Sequence, residues 1–144
     1  MTPARLIAGG FGIGWAPMMS GTLASAVATL VGIGLMLSSP YALWLAILAA
    51  VVGGVWAIRA AGADDDPSWV VIDEFAGQWI AMLGLARVTV LGTLAAFVLF
   101  RVLDITKVGP IGWADRRHDA LGVMADDVIA GLIAALVLWA ARLL

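Results

Sequence analysis

Apolar residues run through this chain in stretches long enough to cross a lipid bilayer. Thr22 to Leu37 and Tyr41 to Ile58 are two such stretches, and Val70 to Ile105 is almost continuously apolar. A helix needs about 20 apolar residues to cross the hydrocarbon layer. Hydrophobic residues make up 63% of the 144 positions, against roughly 45–50% in soluble domains. The sequence therefore predicts an all-α membrane protein, a polytopic helix bundle in a single domain over residues 1–144.

Polar and turn-forming residues divide the apolar sequence into about five expected transmembrane helices. Residues 38–40, Ser-Ser-Pro, separate the first two helices, which form a hairpin. The stretch from Val70 to Ile105 is too long for one crossing, and Gly84, Arg87 and Thr89 interrupt its middle. It therefore predicts two antiparallel helices. The expected spans are 22–37, 41–58, 71–85, 88–106 and 123–143.

The N-terminal segment is apolar but rich in glycine. The run from Leu6 to Met19 is broken by Gly9, Gly10, Gly12, Gly14 and Pro17. This pattern suits a loop or a short re-entrant segment better than the compact apolar helix of a signal peptide. We therefore expect the segment to remain in the mature protein.

The charged residues gather at one end of the expected helices. Antiparallel third and fourth helices bring Asp73 and Glu74 to the same membrane face as the charged segment 101–107. A single long span would instead leave ionisable groups inside the hydrocarbon without partners, at a large cost in free energy. Six of the eight cations fall on this charged face: Arg5, Arg59, Arg101, Lys107, Arg116 and Arg117. The positive-inside rule predicts that this face is cytoplasmic.

Composition excludes several classes of function. A formal net charge of −2 provides no basic surface for nucleic acid, so nucleic acid is not an expected partner. The chain has no cysteine, which excludes disulfides, thiolate metal sites and a cysteine nucleophile. Any catalytic or metal site must therefore be built from oxygen and nitrogen ligands.

Two adjacent carboxylates mark the start of the third expected helix. Asp73 is followed on one helical face by small residues at 77, 81 and 84, which would let another helix approach closely. We therefore expect Asp73 to point into the bundle, while Glu74 and Gln78 share a neighbouring face. The alternative interpretation is an acidic first turn that the helix dipole stabilises.

A cation, a carboxylate and a second cation recur at three-residue steps in the fourth expected helix. Arg101, Asp104 and Lys107 therefore share one helical face. An internal ladder of ion pairs is one interpretation of this pattern. The other is a binding site for an anion such as phosphate, which Arg and Lys bind through charge-assisted hydrogen bonds.

The last expected helix repeats the carboxylate pair. Asp126 and Asp127 precede the small residues Ala130, Gly131 and Ala134. With the acids above, they make five carboxylates that a bundle could bring to one point, and so much negative charge requires protons or a cation. Mg²⁺ prefers carboxylate oxygens and bridges to phosphate, so it fits better than zinc does, given one histidine and no cysteine.

Other polar residues carry weaker signals. The run 64–66, Asp-Asp-Asp, precedes a proline and predicts a solvated loop rather than a metal site. His118 offers a proton for a leaving alcohol, or is an interfacial side chain. Thr22 and Ser25 lie at a helix start, where capping is the ordinary role of such hydroxyls.

Four short motifs occur in an order that is typical of one family. They are Gly21–Ser25, Ile72–Ile80, Phe100–Lys107 and Gly122–Gly131, with Asp115-Arg116 between the last two. On these motifs the chain resembles the phosphatidylglycerophosphatase A family over nearly its whole length. The resemblance implies hydrolysis of phosphatidylglycerophosphate to phosphatidylglycerol and phosphate, dependence on Mg²⁺, and a place in the bacterial inner membrane.

A phosphatase mechanism assigns each polar residue an expected role. Hydrolysis of phosphate monoesters is extremely slow without a catalyst, so the site must neutralise phosphate charge and position a nucleophile in line. The expected Mg²⁺ ligands are Asp73, Glu74, Asp126 and Asp127. The expected catalytic residues are Asp73, Glu74, Asp104 and Asp127, with Asp104 orienting a metal-bound water. The expected substrate-binding residues are Arg101, Lys107, Thr22, Ser25 and Arg116.

Two other functions fit part of the pattern. A small ion-coupled transporter also uses carboxylates inside the membrane, but its pathway needs polar residues at the midplane and on both sides. Here the acids lie at one face, and the helix expected over 41–58 has none in its interior. A non-catalytic lipid-binding or assembly subunit would have no obvious task for paired acids. Within the phosphatase interpretation, an aspartyl-phosphate intermediate is the alternative to direct attack by water.

Overall fold

The computed structural model describes residues 1–142, and within that range the regular secondary structure is entirely helical. The helices are α1 (Pro3–Ala8), α2 (Ser20–Ser38), α3 (Ala42–Ala60), α4 (Ile72–Met82), α5 (Val90–Thr106), α6 (Pro110–Asp115) and α7 (Ala120–Ala141). A 3₁₀ segment, Gly10–Trp15, follows α1. The expected all-α class is confirmed for these residues. The expected end of the last helix at Leu143 lies outside them.

Three helices within residues 1–142 are long and apolar enough to cross a membrane: α2, α3 and α7, with 19, 19 and 22 residues. The prediction of five spanning helices was wrong. α4 has 11 residues and α5 has 17, which at 1.5 Å per residue is about 17 and 26 Å, against about 30 Å of hydrocarbon. α4 stops short of the expected 71–85 because residues 83–84 form a turn. α5 begins later than expected because the Thr89 hydroxyl caps it, accepting from the N–H of Gly92 at 3.0 Å.

The short helix α4 lies at the centre of the bundle, with α2, α3, α5 and α7 packed around it. Nine of its eleven residues are buried, so protein rather than lipid surrounds it. A short helix is stable there because its terminal backbone groups meet protein partners instead of hydrocarbon. Just beyond the end of α4, for example, Nε of Arg142 donates a hydrogen bond to the carbonyl of Gly84 at 2.7 Å.

Large apolar side chains cover the outer faces of the long helices. Leu45, Leu48 and Val52 on α3 and Leu30 on α2 are between 61% and 70% exposed. Contiguous apolar surface of this kind indicates contact with lipid or with another protein. The outer surface of the bundle is therefore consistent with a membrane environment.

α4 and α7 approach each other closely at two glycines. A Cβ atom at Gly77 would lie 2.6 Å from the carbonyl oxygen of Asp127, and one at Gly131 would lie 3.0 Å from the carbonyl carbon of Gly77. Both distances are shorter than van der Waals contact, so a larger residue at either position would separate the helices. The crossing brings the first turn of α4 beside the second turn of α7.

The N-terminal segment folds onto the connection between α3 and α4. The N–H of Val71 donates a hydrogen bond to the carbonyl of Ala8 at 2.9 Å. The rings of Trp15 and Trp69 stack with their centroids 5.5 Å apart, and the Arg5 guanidinium lies 4.9 Å from the Trp69 ring centroid. The glycine-rich segment therefore packs at the end of the bundle where α4 begins.

Candidate active site

Five carboxylates from three helices meet where α4 begins. Oxygens of Asp73, Glu74 and Asp127 lie within 4.8 Å of one another, and so do oxygens of Asp104, Asp126 and Asp127. We call Asp73, Glu74 and Asp127 the first group, and Asp104, Asp126 and Asp127 the second group. Asp127 belongs to both, so the two groups adjoin. The structure thus brings together the four expected metal ligands and Asp104, while their roles stay predictions.

The helix ends set the positions of these acids. Residues 73–74 lie in the first turn of α4, Asp104 lies in the last turn of α5, and residues 126–127 lie in the second turn of α7. α4 and α5 run in opposite directions, so the start of one and the end of the other lie at the same end of the bundle. The close crossing of α4 and α7 then brings the second turn of α7, with Asp126 and Asp127, to the same place.

Acidic side chains also hold the start of α7. Asp119 accepts a hydrogen bond from the N–H of Gly122 at 2.7 Å and pairs with Arg117 at 2.7 Å. The hydrogen bond from Arg117 and the N–H of Gly122 lower the pKa of the Asp119 carboxyl below its ordinary value. Asp64 accepts a hydrogen bond from the N–H of Ala120 at 2.9 Å. The prediction that the triple-aspartate run is a solvated loop was therefore wrong for Asp64, which is half-buried and supports α7.

Two cations lie among the carboxylates of the second group. Arg101 forms an ion pair with Asp104. Lys107 forms an ion pair with Asp126, and its Nζ lies 3.3 Å from Oδ1 of Asp104 and 3.3 Å from Oδ1 of Asp115. Burial lowers the pKa of the Lys107 ammonium, but the hydrogen bond to Asp126 and the charges of the neighbouring carboxylates raise it, and the net shift is upward. Lys107 is therefore positively charged and holds three acids together.

Three carboxylates and one guanidinium have buried atoms without a hydrogen-bond partner among residues 1–142. These atoms are Oδ1 of Asp73, Oε2 of Glu74, Oδ2 of Asp127 and Nε of Arg101. A buried polar atom without a partner costs about 1–3 kcal/mol, and a charged one costs more. Asp104 and Asp126 each form an ion pair with a cation. Asp73, Glu74 and Asp127 form no ion pair within residues 1–142, although Arg101 lies near Glu74 beside Gly21. The first group therefore offers oxygen ligands to a hard cation, and Arg101 offers a donor to an anion.

The start of α2 lies against Glu74 and Arg101. A Cβ atom at Gly21 would lie 3.2 Å from Cδ of Glu74 and 3.5 Å from Nη1 of Arg101, so the glycine leaves room for both side chains. Thr22 is half-buried, and Ser25 is fully buried with its hydroxyl donating to the carbonyl of Gly21 at 2.9 Å. Neither hydroxyl caps α2 in the residues that the structure describes. The structure places the Gly21–Ser25 motif, which contains both hydroxyls, beside the site. The Ser25 hydroxyl already donates its hydrogen within α2.

A polar cavity of about 230 Å³ adjoins the carboxylates on the side of Asp126. Its lining includes Asp65, Arg117 and His118. Arg116 is exposed in the connection between α6 and α7 and is not among the residues that line this cavity. The expected role of Arg116 in substrate binding stays a prediction.

Sequence reasoning left two residues of the site without a role. Gln78 is fully buried, and neither atom of its amide has a hydrogen-bond partner in the described part of the chain. It lies one turn after Glu74 on the same face of α4, so its spacing was a usable signal. Asp115 reaches Lys107 from α6, and no periodicity in the sequence connects those two residues.

Comparison with known proteins identifies the family. A family model described as phosphatidylglycerophosphatase A matches residues 6–142. The chain is 37% identical over 142 residues to phosphatidylglycerophosphatase A of Escherichia coli K12, which covers 95% of this chain and 82% of that relative. It is 32% identical over 145 residues to the Haemophilus influenzae Rd protein of the same name, which covers 97% of this chain and 89% of that relative.

One further relative has a name of a different kind. A Bacteroides thetaiotaomicron protein, whose name proposes phosphatidylinositol-3-phosphatase activity, is 34% identical over 146 residues, which covers 95% of this chain and 92% of that relative. No solved structure matches the chain significantly. The family match extends over nearly the whole chain, and the resemblance inferred from the four motifs is confirmed. The chain belongs to the phosphatidylglycerophosphatase A family.

Proposed function

We propose that the chain is a magnesium-dependent phosphatidylglycerophosphatase, which converts phosphatidylglycerophosphate to phosphatidylglycerol and inorganic phosphate in phospholipid synthesis. Its family makes the chain a phosphoric monoester hydrolase. The proposed dependence on Mg²⁺ and the proposed substrate rest on one observation. Several buried carboxylate oxygens lie next to Arg101 and have no hydrogen-bond partner among residues 1–142. This arrangement supplies ligands for a cation and a donor for phosphate at one point.

Asp73, Glu74 and Asp127 fit Mg²⁺ because their oxygens are close together, and each has a buried oxygen that no described residue satisfies. Asp126 adjoins them through the second group, so the proposed ligand set is Asp73, Glu74, Asp126 and Asp127. A bound Mg²⁺ would neutralise phosphate charge and lower the pKa of a coordinated water.

Arg101 in α5 and Lys107 just after this helix would hold the phosphate while Asp104 acts on the water. Nε of Arg101 is buried without a partner among the described residues, and Lys107 is charged, so both would donate to phosphate oxygens. Asp104 lies between them and would orient the attacking water and accept its proton. The water oxygen forms a new bond to phosphorus, the bond from phosphorus to the glycerol oxygen breaks, and that oxygen takes up the proton that Asp104 accepted from the water. Thr22, Ser25 and Arg116 are proposed to contact the substrate around this centre.

The transporter alternative is not favoured. The two relatives named phosphatidylglycerophosphatase A are named for a hydrolytic activity. The carboxylates of the site gather at one end of the bundle, whereas an ion pathway needs polar residues through the membrane.

Phosphate release by the purified protein tests the proposed activity. Phosphatidylglycerophosphate should be hydrolysed with Mg²⁺ and not after chelation, and Asp127→Asn should remove the activity. Phosphatidylinositol 3-phosphate is the comparison substrate, because one relative is named for that head group. Turnover without Mg²⁺, or an unimpaired Asp127→Asn variant, would contradict the metal site. Preference for the inositol lipid would contradict the proposed substrate.

The proposed location is the bacterial inner membrane, with several spans and the site facing the cytoplasm. The excess of cations at the site end of the bundle supports this orientation. Because the chain has no cysteine, a single introduced cysteine can show on which side of the membrane each end of the bundle lies. A membrane-impermeant maleimide should label Ser68→Cys in inverted vesicles and Ser38→Cys in right-side-out vesicles. The reverse pattern would contradict a cytoplasmic site.

A further inference from the structure

A groove opens sideways between α2 and α5, on the lateral surface of the bundle. This α2–α5 groove has a volume of about 370 Å³ and lies between residues 26–33 of α2 and residues 90–97 of α5. Leu30 and Leu94 in its lining are 70% and 56% exposed. The groove is therefore open to whatever surrounds the helices.

The two threonines of the groove offer it no free hydroxyl hydrogen. Oγ1 of Thr29 donates to the carbonyl of Ser25, and Oγ1 of Thr93 donates to the carbonyl of Thr89, both at 2.8 Å. Hydroxyls bonded back to their own helix have satisfied donors and need no water in the groove. With alanine, leucine, isoleucine, valine and phenylalanine making up the remaining lining, the groove suits an apolar occupant.

The α2–α5 groove leads to the candidate active site along both of its helices. Phe97 lies four residues, or about 6 Å, before Arg101 on α5. Ala26 lies five residues, or about 8 Å, after Gly21 on α2. Gly21 packs against Glu74 and Arg101, so the two walls of the groove converge on the acidic and cationic side chains of the site.

A phospholipid has both a charged phosphate, which fits the candidate active site, and apolar acyl chains, which fit the α2–α5 groove. Its phosphate lies at the membrane interface and its acyl chains lie in the hydrocarbon. A phosphate held by Arg101 would therefore direct an acyl chain of the same molecule along α2 and α5, at the depth of the groove.

We propose that the α2–α5 groove binds one acyl chain of the phospholipid substrate, which makes it a chain-binding subsite beside the phosphate site. This inference rests on the proposed function. Bulk lipid would also cover an apolar groove. Contact with bulk lipid, however, does not require the groove to lead to Glu74 and Arg101, whereas binding of the substrate does. The subsite would select substrates by chain length, because a longer chain buries more methylene groups.

The test compares two substrates that share a head group and differ in chain length. Hydrolysis of dipalmitoyl and of dihexanoyl phosphatidylglycerophosphate is measured with the full-length protein in detergent and Mg²⁺. Val90→Trp and Leu30→Trp fill the groove from exposed lining positions. Val90 lies 11 residues, or about 17 Å, from Arg101, and Leu30 lies nine residues, or about 14 Å, from Gly21, so a hexanoyl chain is too short to depend on either position. Ala49→Trp, on the exposed surface of α3, is the matched control.

Val90→Trp and Leu30→Trp should lower kcat/KM for the dipalmitoyl substrate by about tenfold or more, the effect of losing contact with about two methylenes. Their kcat/KM for the dihexanoyl substrate should stay near the wild-type value, and Ala49→Trp should change neither. Equal effects on both substrates, or no effect on either, would overturn the chain-binding subsite. Wild-type protein that hydrolyses neither substrate would contradict the proposed function itself, which is a separate result.

Discussion

Gly77 of α4 packs against the carbonyl oxygen of Asp127 in α7, where a Cβ atom at position 77 would lie 2.6 Å from that oxygen. Asp127 belongs to both carboxylate groups. This backbone contact therefore sets the position of the acids as well as the spacing of the two helices.

Gly77→Ala is expected to destabilise the fold by about 1–3 kcal/mol, because the added methyl group overpacks the crossing. Phosphatase activity should fall as well, since Asp127 moves with α7. Gly53→Ala on α3 is the matched control, because a Cβ atom there has no described atom within 4 Å. Alanine favours a helix over glycine by up to about 1 kcal/mol, so the control should be neutral or stabilised. Thermal unfolding and phosphate release measure both effects, and similar behaviour of the two variants would contradict the crossing.

Asp73→Asn is expected to be more stable than the wild type without Mg²⁺ and less stable than the wild type with Mg²⁺. Without the ion the variant should be more stable than the wild type, because one of several close, buried carboxylates loses its charge. A hundredfold excess of Mg²⁺ over its Kd should stabilise the wild type by about 2.7 kcal/mol, and the variant much less. Thermal unfolding during a Mg²⁺ titration measures this, with Asp65→Asn at an exposed position as the control. An unchanged Mg²⁺ response would remove Asp73 from the ligand set.

Lys107→Met is expected to destabilise the protein by about 3 kcal/mol, the lower end of the range for a broken buried ion pair. The lower end applies because the Lys107 side chain is 30% exposed. The loss leaves Asp115 and Asp126 without this cation. Arg117→Met breaks the exposed pair with Asp119 and should change stability little. Chemical denaturation of both variants checks the difference, and equal losses would argue against the central role of Lys107.

The stabilising effect of Asp119 should depend on pH. Because the folded protein lowers the pKa of this carboxyl below its ordinary value of 3.8, ionised Asp119 favours the folded state above that pH. The stabilisation is lost as the pH falls through the folded pKa. Asp119→Ala should therefore be less stable than the wild type at neutral pH, and the two melting temperatures should converge in acid. If the difference in melting temperature stayed constant down to the lowest pH at which both proteins fold, ionisation of Asp119 would not contribute to stability.

Gln78→Met is expected to raise stability while lowering activity. The buried amide has no partner among residues 1–142, so replacing it with an apolar side chain of similar length should stabilise the fold by about 1 kcal/mol. If the amide serves the site one turn from Glu74, kcat/KM should fall by about three- to tenfold, the value of one hydrogen bond. Ser25→Ala removes a bonded hydroxyl and should instead cost stability. Full activity in Gln78→Met would exclude a functional amide.

Much of the local organisation could be predicted from the sequence. Long apolar stretches require helices in a membrane, because only helices satisfy the backbone there within a single segment. Three-residue and four-residue spacing placed Arg101, Asp104 and Lys107 on one face and Glu74 beside Gln78 on another. The order of the motifs was sufficient to indicate the family.

The number of spans could not be predicted, because hydropathy does not distinguish a helix surrounded by lipid from one surrounded by other helices. α4 is apolar enough to suggest a span, yet it has 11 residues and lies in the centre of the bundle. Its length depends on the neighbours that satisfy its ends, such as Arg142 at Gly84.

The sequence by itself determined the helical class, the acidic end of the bundle and the residues that share each helical face. Those properties follow from periodicity and hydropathy, which act within one segment. Only the tertiary structure decided that Asp104 and Asp126 have cation partners, that the described chain supplies none to Asp73 and Asp127, and that a groove separates α2 from α5. These features depend on how closely distant segments approach, which backbone contacts such as Gly77 against Asp127 determine.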